Sequence, residues 1–197
     1  MALTIKEQAT LVTDVIRQRR SVYADAFLDK EIPDALIEEL IVNATWAPTY
    51  YQTEPWRFVV LRGRHRARLG AHLLAYYQQQ WTVEQFPPSR YEAVRIYAQH
   101  STMVAILFKR HPKVRVKEWE ELAAVACAVQ NLWLSCAAHG LGGYWDSTDG
   151  TVDYIQQLGV LGDNERSLCI FHMGYPDDQP APKRRRKLLR KKLSWLE

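Results

Sequence analysis

The sequence predicts an α+β sandwich in which a few strands form a sheet with helices around it. The first observation is the order of its hydrophobic segments, which is helix, helix, strand, helices, strand, long helix, strand, short helix, strand. The second is the absence of regular single crossovers between strands and of both G-x-G-x-x-G and G-x-x-x-x-G-K-[ST], which disfavours a doubly wound nucleotide-binding fold. The third is one long apolar segment, Leu122–Ala138, typical of a buried helix.

The first half of the chain is predicted to carry most of the helices. Thr4 and Glu7 have the spacing of a capping box, and they open a helix that runs toward Arg20. Apolar residues at helical spacing predict a second helix that ends near Trp46, before Pro48. The remaining predicted elements are a strand at Arg57–Arg62, helices at 66–80 and 89–100, and a strand at Thr102–Phe108.

The second half is predicted to be organised around the long apolar helix. Only Gln130, Asn131 and Ser135 are polar between Leu122 and Ala138, so the segment is too interrupted and too short for a membrane span of about 20 residues. Gly140 is suited to cap this helix in the left-handed conformation. After it we predict a strand at Gly143–Ser147, a short helix at Asp153–Leu158 and a strand at Ser167–Met173.

Composition and charge indicate a single domain, residues 1–197, with a basic C-terminal tail at 180–197. The chain has 197 residues, 47% of them hydrophobic, and a formal net charge of +4. Eight of the 26 Lys and Arg residues lie in 183–192, so the body is mildly acidic and does not have the profile of a globally basic nucleic-acid-binding domain. Three cysteines without C-x-x-C spacing and an N-terminus without an apolar signal segment favour the cytoplasm.

Three segments are candidate binding elements. Arg19-Arg20-Ser21 could hold an anion through its guanidinium groups, or the arginines could simply be solvated at a helix end. The loop Ala47–Trp56 could line a planar ligand or cap the core with its aromatic side chains. The aromatic residues between Tyr76 and Tyr97 could pack in the core or form the wall of a substrate site.

The common catalytic signatures are absent. The six histidines show neither H-x-x-x-H nor H-E-x-x-H pairing, so no metal site is expected. No G-x-S-x-G nucleophile elbow occurs, and no triad or carboxylate pair can be assigned. If the protein is an enzyme, its reactive group is therefore expected to come from a cofactor.

Four motifs, in the family's order, resemble the FMN-dependent nitroreductase family, especially its short bacterial members. Arg19-Arg20-Ser21 resembles the family's N-terminal phosphate motif, and the segment from Ala47-Pro48 to Pro55-Trp56 resembles its AP…QPW loop. Glu118–Trp145 resembles its central helix with the following strand, and Phe171–Pro176 resembles the end of its last strand. The resemblance covers nearly the whole chain and implies a central, mainly antiparallel sheet in a homodimer, with the basic tail docked at the dimer interface.

The resemblance also implies a site and a reaction. Two FMN molecules would lie at the dimer interface, and NADH or NADPH would reduce the flavin at N5 before a nitroaromatic, quinone or related electrophile is reduced in a ping-pong cycle. The residues expected to hold the phosphate are Arg19, Arg20, Ser21, Arg184 and Arg186. Trp46 and Tyr50 would lie beside the flavin, either in the same subunit or reaching in from the partner subunit, and Gln52 is a further cofactor-binding residue. Trp145, Asp146 and Ser147 would border the ring.

Several positions depart from the family pattern, which keeps other functions open. Gln52 replaces the usual Asn, Glu54 replaces the Gln before Pro-Trp, Tyr23 replaces a basic residue, and Asp146 stands where short members often carry Arg. The acidic replacements allow an alternative, a flavin-binding protein or specialised flavin enzyme that is not an NAD(P)H nitroreductase. The basic tail allows a third reading, a binder of nucleic acid or of an anionic membrane, although the leucines and tryptophan of the tail indicate packing as well as charge. No nucleic-acid or membrane partner is expected.

Overall fold

The computed structural model of the chain describes residues 2–112, 115–177 and 186–196. The helices and strands found there follow the predicted order. They are α1 (Ile5–Gln18), α2 (Asp34–Thr45), β1 (Trp56–Leu61), α3 (Arg64–Gln80), α4 (Tyr91–Ile96), β2 (Thr102–Lys109), α5 (Glu118–Ala138), β3 (Gly142–Asp146), α6 (Asp149–Gln157) and β4 (Glu165–Gly174).

The strands form one four-stranded sheet in the order β1-β2-β4-β3. Every neighbouring pair is antiparallel, and β4 pairs with β2 along one edge and β3 along the other. Every residue of β2 except Lys109 is buried, because helices cover both faces of the sheet. The prediction of an α+β fold with an antiparallel central sheet is confirmed.

Two hydrophobic layers hold the helices against the sheet. Alternate residues of a strand point to opposite faces, so Val104 and Ile106 pack with α2 and α5, whereas Met103 and Ala105 pack with α3 and α6. Burial of apolar area on both faces is the dominant favourable contribution to such a fold. The result is a three-layer arrangement, with α2 and α5 on one side and α3, α4 and α6 on the other.

Helix α5 is the central element of the first layer. By length and composition alone it could cross a membrane, with a mean hydropathy of 1.3 over its most apolar window. Val125, Val129 and Leu132 are nevertheless fully buried within the α2–α5 layer, as expected of a core helix. Trp119 and Cys127, on another side of the same helix, are exposed in the single chain.

Helix α1 begins as predicted but packs differently from the other helices. Thr4 and Glu7 form the complete capping box. No residue of α1 is buried, and Leu11, Val12 and Ile16 are each more than half exposed. The described part of the chain covers this apolar face only partly, through contacts with α5.

Two predicted helices have different bounds in the structure. The helix predicted at 89–100 is a 3₁₀ turn at Pro88–Arg90 followed by the short α4, and the chain then tightens through i→i+3 bonds such as Gln99 N–H to Ile96 C=O. The helix predicted at Asp153–Leu158 begins at Asp149. Gly150 lies in its first turn and does not end the helix. A Cβ at this position would come within 3.0 Å of Leu73 and Tyr76, so packing requires a glycine here.

Candidate functional site

A pocket lined by arginines lies at the C-terminal end of α1. Arg17, Arg19, Arg20 and Arg186 border a cavity of about 360 Å³ together with Ile16 and Gln130. The guanidinium carbon of Arg19 lies 4.2 Å above the centre of the Trp133 ring on α5, a cation–π contact that fixes its position. The structure thus brings together three of the arginines that the sequence predicts to bind phosphate.

The guanidinium of Arg20 also contributes to the end of helix α1. Its Nη1 donates hydrogen bonds to the backbone carbonyls of Arg17 and Arg19, and so satisfies acceptors that the helix leaves open. Arg20 therefore closes the helix end and also lines the arginine pocket, and its binding of an anion stays a prediction. Arg184, the other predicted arginine of the tail, lies outside the described residues.

Ser21 connects the arginine pocket to the edge of the sheet. It forms a parallel bridge with Gly143 of β3, and the next residue, Val22, donates its N–H to the Gly143 carbonyl at 3.2 Å. One residue further, Tyr23 places its ring 4.9 Å from that of Tyr144. Residues 20–23 therefore run along the edge of β3 from a positively charged pocket to an aromatic one.

The aromatic cavity at the end of this path has a volume of about 780 Å³. Trp145, Asp146 and Ser147 line it at the end of β3, so the structure brings the residues predicted to border a flavin ring together in one wall. On the α3–α4 side, Tyr77 and Trp81 stack with their centroids 4.5 Å apart and their planes at 16°. A cavity of this size with mostly apolar walls is typical of a small-molecule or cofactor site.

The carboxylate of Asp146 is turned into the protein and held there by hydrogen bonds. Its Oδ1 accepts the backbone N–H and the hydroxyl of Thr148, at 3.0 and 2.9 Å. Its Oδ2 accepts the hydroxyls of Tyr97 at 2.7 Å and Thr151 at 2.9 Å. These donors occupy the acceptor positions of the carboxylate, so this acidic replacement helps to start α6 and does not present a bare charge to the cavity.

Behind Asp146 lies a buried hydrogen-bonded chain that the sequence did not predict. Since the Tyr97 hydroxyl proton goes to Asp146, its oxygen accepts from Nε2–H of His172 at 2.8 Å, and Nδ1 of His172 accepts from the Ser101 hydroxyl at 3.0 Å. His172 is fully buried and stacks on Tyr144 with the planes at 9°. Burial lowers the pKa of His172 to about 4, whereas the charge of Asp146 opposes that shift, so the imidazole is neutral at pH 7.

Three other predicted cofactor-binding residues, Trp46, Tyr50 and Gln52, lie away from both pockets. Trp46 and Tyr50 are exposed, at 82% and 58%, and Gln52 is exposed beside them. The 3₁₀ turn at Tyr50–Gln52 contacts α5, and Glu120 acts electrostatically on Tyr50, which places this group near the N-terminal end of α5. Arg19 contacts Trp133, 13 residues further along that helix, so the two groups are roughly 20 Å apart along α5.

The backbone of the exposed loop adopts an unusual conformation. Tyr51, Gln52 and Glu54 all have positive φ angles, of 54°, 53° and 42°. Non-glycine residues seldom adopt this region, and strain of this kind concentrates at functional sites. Local sequence preferences could not have predicted it, because none of the three residues is glycine or asparagine.

Fold and site together define a class of protein, an α+β sandwich with a basic pocket joined to an aromatic one along a sheet edge. A profile of the Nitroreductase family matches residues 16–175, and the chain belongs to that family. Among the described residues, no group of three or more His, Cys, Asp and Glu side chains is arranged to hold a metal ion.

Individual relatives agree with this assignment. YfhC of Bacillus subtilis, which carries the provisional name NAD(P)H nitroreductase, is 27% identical over 181 residues, covering 90% of this chain and 91% of that protein. A nitroreductase-like family protein from Bacillus cereus superposes with a TM-score of 0.78 at 27% identity, covering 100% of this chain and 98% of the other. The FMN-dependent nitroreductase NfnB from Mycobacterium smegmatis, solved in complex with NADPH, superposes with a TM-score of 0.77 at 20% identity over 96% of this chain and 100% of the other.

Proposed function

We propose that the protein is an FMN-dependent oxidoreductase that uses NADH or NADPH to reduce nitroaromatic, quinone or related electrophilic compounds. The observation that carries the proposal is the path from the arginine pocket to the aromatic cavity along residues 20–23. The similarity to YfhC, and the fold shared with an FMN-dependent enzyme, support the same conclusion.

The residues present fit FMN. A phosphate dianion needs guanidinium donors, and Arg19, Arg20 and Arg186 would supply them. Ser21, the next residue of the predicted phosphate group, directly follows Arg20. From residue 20 to residue 23 the extended chain covers roughly 10 Å, a suitable separation for a phosphate and a ring joined by a ribityl chain. Tyr23, Trp145 and Ser147 would border the ring in the aromatic cavity.

We propose that the active form is a homodimer. Trp46, Tyr50 and Gln52 lie far from the arginine pocket of their own chain, so a second copy related by a two-fold axis would bring its loop to that pocket. The exposed apolar faces of α1 and of the tail would be covered in the same assembly, with Leu188, Leu193 and Trp195 all exposed in the single chain. Each copy would be one domain with its basic tail docked at the interface, in the cytoplasm.

When bound, FMN would supply the hydride chemistry through its N5 atom. The chain's own residues have three tasks. The arginine pocket would anchor the phosphate, and the aromatic walls would exclude water from the reacting face of the ring. The hydrogen-bonded series Ser101, His172 and Tyr97 holds the carboxylate of Asp146 in a fixed position at the cavity wall. Because that carboxylate is saturated by donors, it is not aimed at a reduced flavin, which carries negative charge.

Anaerobic titration with both nucleotides tests the proposal. We expect the purified protein to bind FMN, to lose its yellow absorbance on addition of NADH or NADPH, and to recover it when a quinone or nitroaromatic compound is added. A protein that binds FMN but is bleached by neither nucleotide would be the flavin-binding alternative. A protein that does not take up FMN would refute the assignment altogether.

A variant of Arg19 tests the phosphate assignment separately. Arg19→Ala should weaken FMN binding about tenfold or more, because a charge-assisted contact to phosphate is lost, and equilibrium dialysis would measure the dissociation constant. Arg64→Ala, which removes an exposed arginine at the start of α3, is the matched control and should bind FMN as the unaltered protein does. Unchanged affinity in Arg19→Ala would contradict the assignment.

A further inference from the structure

Among the described residues that line the aromatic cavity, Arg90 is the one arginine. Arg90 immediately precedes α4, is exposed and lines the cavity. Tyr97, which follows the other end of α4, lines the same cavity from its inner side, where its hydroxyl is bound to Asp146 and His172. Seven residues of nearly helical chain separate the two side chains, so they are about 10 Å apart along the cavity.

Within the described residues, the guanidinium of Arg90 forms neither an ion pair nor a side-chain hydrogen bond. Arg95, one turn further along, is by contrast paired with Glu92 at 2.7 Å. The carboxylates of the cavity lie toward its other end: Asp146 is saturated by donors, and Asp25 acts electrostatically on Tyr144. Asp25 is exposed as well, so the described lining carries the positive charge of Arg90 beside α4 and two carboxylates on the side of β3.

The wall on the α3–α4 side of the cavity is aromatic. Tyr77 and Trp81 are stacked, and the ring of Phe86 lies edge-on to both, with centroids at 5.4 and 6.1 Å. Such a wall favours the face of a planar ring through dispersion and burial of apolar area. The cavity, at about 780 Å³, is near the upper end of the range for ligand sites, so a ring bordered by Trp145 and Ser147 leaves room for a second ring on the α3–α4 side.

We propose that the α3–α4 side of this cavity binds an aromatic acid, with its ring against Tyr77, Trp81 and Phe86 and its acidic group paired with Arg90. A guanidinium and a carboxylate match in geometry and form a pair of parallel hydrogen bonds. That the acid is the electron acceptor rests on the proposed function, whereas its binding does not.

Calorimetric titration of the full-length protein with 2-naphthoate and with its neutral counterpart 2-naphthamide tests this site. Neither probe has a nitro or quinone group, so binding is measured without turnover. We expect naphthoate to bind about fivefold more tightly than naphthamide, a preference of the size that an exposed ion pair provides. Arg90→Gln should abolish the preference and leave naphthamide binding unchanged, and Arg90→Lys should restore part of it.

Two controls locate the effect. Arg95→Gln alters the neighbouring, Glu92-paired arginine and should keep the full preference. Arg19→Ala, titrated in flavin-free protein, should keep it as well, which separates the rim of the cavity from the arginine pocket. No binding of either probe, equal binding of the two, or a preference that survives Arg90→Gln would overturn the inference. Because FMN uptake and bleaching are measured independently, a failure here is distinguishable from a failure of the proposed function.

Discussion

At the scale of single residues, the buried His172 shows how a polar group is accommodated in the core. Both ring nitrogens have partners, Tyr97 and Ser101, and the ring face lies on Tyr144. A buried polar group with its hydrogen bonds satisfied is tolerated, but a buried charge is costly. The site therefore accepts only the neutral imidazole at ordinary pH.

This gives the stability of the protein a defined dependence on pH. The pKa of His172 is about 4 when folded and about 6.5 in an unfolded chain, so below pH 6.5 the unfolded state binds a proton that the folded state does not. The free energy of unfolding should therefore fall as the pH is lowered from about 6.5 to 4, by up to roughly 3 kcal/mol from this group. Above pH 6.5 the group contributes no pH dependence.

Urea denaturation at pH 7 and pH 4.5 would measure this difference. His172→Gln, which keeps hydrogen-bonding capacity but cannot be protonated, should lose less stability on acidification than the unaltered protein does. His139→Gln, at the exposed end of α5, serves as the control and should retain the original difference. An identical loss in His172→Gln and the unaltered protein would exclude this role for His172.

At the scale of elements, the contact between α3 and α4 shapes the cavity wall. Gly70 lies where α3 meets the backbone of α4, and a Cβ at this position would come within 1.9 Å of the Arg95 carbonyl oxygen. No side-chain rotation relieves such a contact, because the obstacle is backbone. The absence of a side chain at residue 70 is therefore what lets the two helices approach.

Gly70→Ala should destabilise the protein although alanine is the better helix former. Helix propensity favours the change by about 1 kcal/mol, but we expect overpacking to outweigh it and to lower the free energy of unfolding by about 2 kcal/mol in total. Chemical denaturation would measure it. In Gly162→Ala the added Cβ would come no nearer than 3.3 Å to Glu165, whose carboxylate is bound by Arg57, so that change should cost less than half as much as Gly70→Ala. Equal stabilities of the two variants would argue against the close helix contact.

Segments with strong local patterns could be predicted from the sequence, and contacts between distant segments could not. The apolar run of α5 and the capping box of α1 were predicted correctly because each depends on neighbouring residues. The hydrogen-bonded chain from Asp146 to His172 depends on the register of β3 with β4, which pairs Tyr144 with His172. A lone histidine in an apolar strand carries no signal of its partners, and Arg90 stands in no recognisable motif.

The structure brings together some of the residues that the sequence predicts for the site. The motif Arg19-Arg20-Ser21 and the residues at the end of β3 lie beside two pockets that residues 20–23 join within one chain. Trp46, Tyr50 and Gln52 do not join them within the chain, and their place in the site stays a prediction. The short helix α6 was predicted to begin too late because Gly150 resembles a loop residue when its packing against Leu73 is not known.

At the scale of the whole molecule, exposed apolar side chains are concentrated on α1 and the described part of the C-terminal tail, which do not pack on the sheet. Val12 on α1 is 60% exposed, and Trp195 in the tail is 83% exposed. Exposed apolar surface of this kind marks an interface. Together with the two separated groups of site residues, it supports the proposed homodimer.

A charge placed on this surface should disrupt the proposed dimer and the proposed shared site together. Val12→Asp should shift the protein toward monomer in sedimentation velocity and weaken FMN binding in the same sample, because burying an unpaired carboxylate in an interface is costly. Asp14→Lys changes a charge on α1 away from its apolar face and should leave both quantities unaltered. A stable monomer in the unaltered protein that still binds FMN would contradict the shared site.

The strand-edge segment at residues 20–23 has a consequence for how the N-terminus behaves. Helix α1 buries none of its own residues, so its attachment depends on partial packing against α5, on this short pairing with β3 and on the contact between Arg19 and Trp133. Any ligand that needs both the arginine pocket and the aromatic cavity binds only the attached form and stabilises it by mass action. Ligand binding should therefore increase the resistance of the first twenty residues to proteolysis, because the same equilibrium governs both.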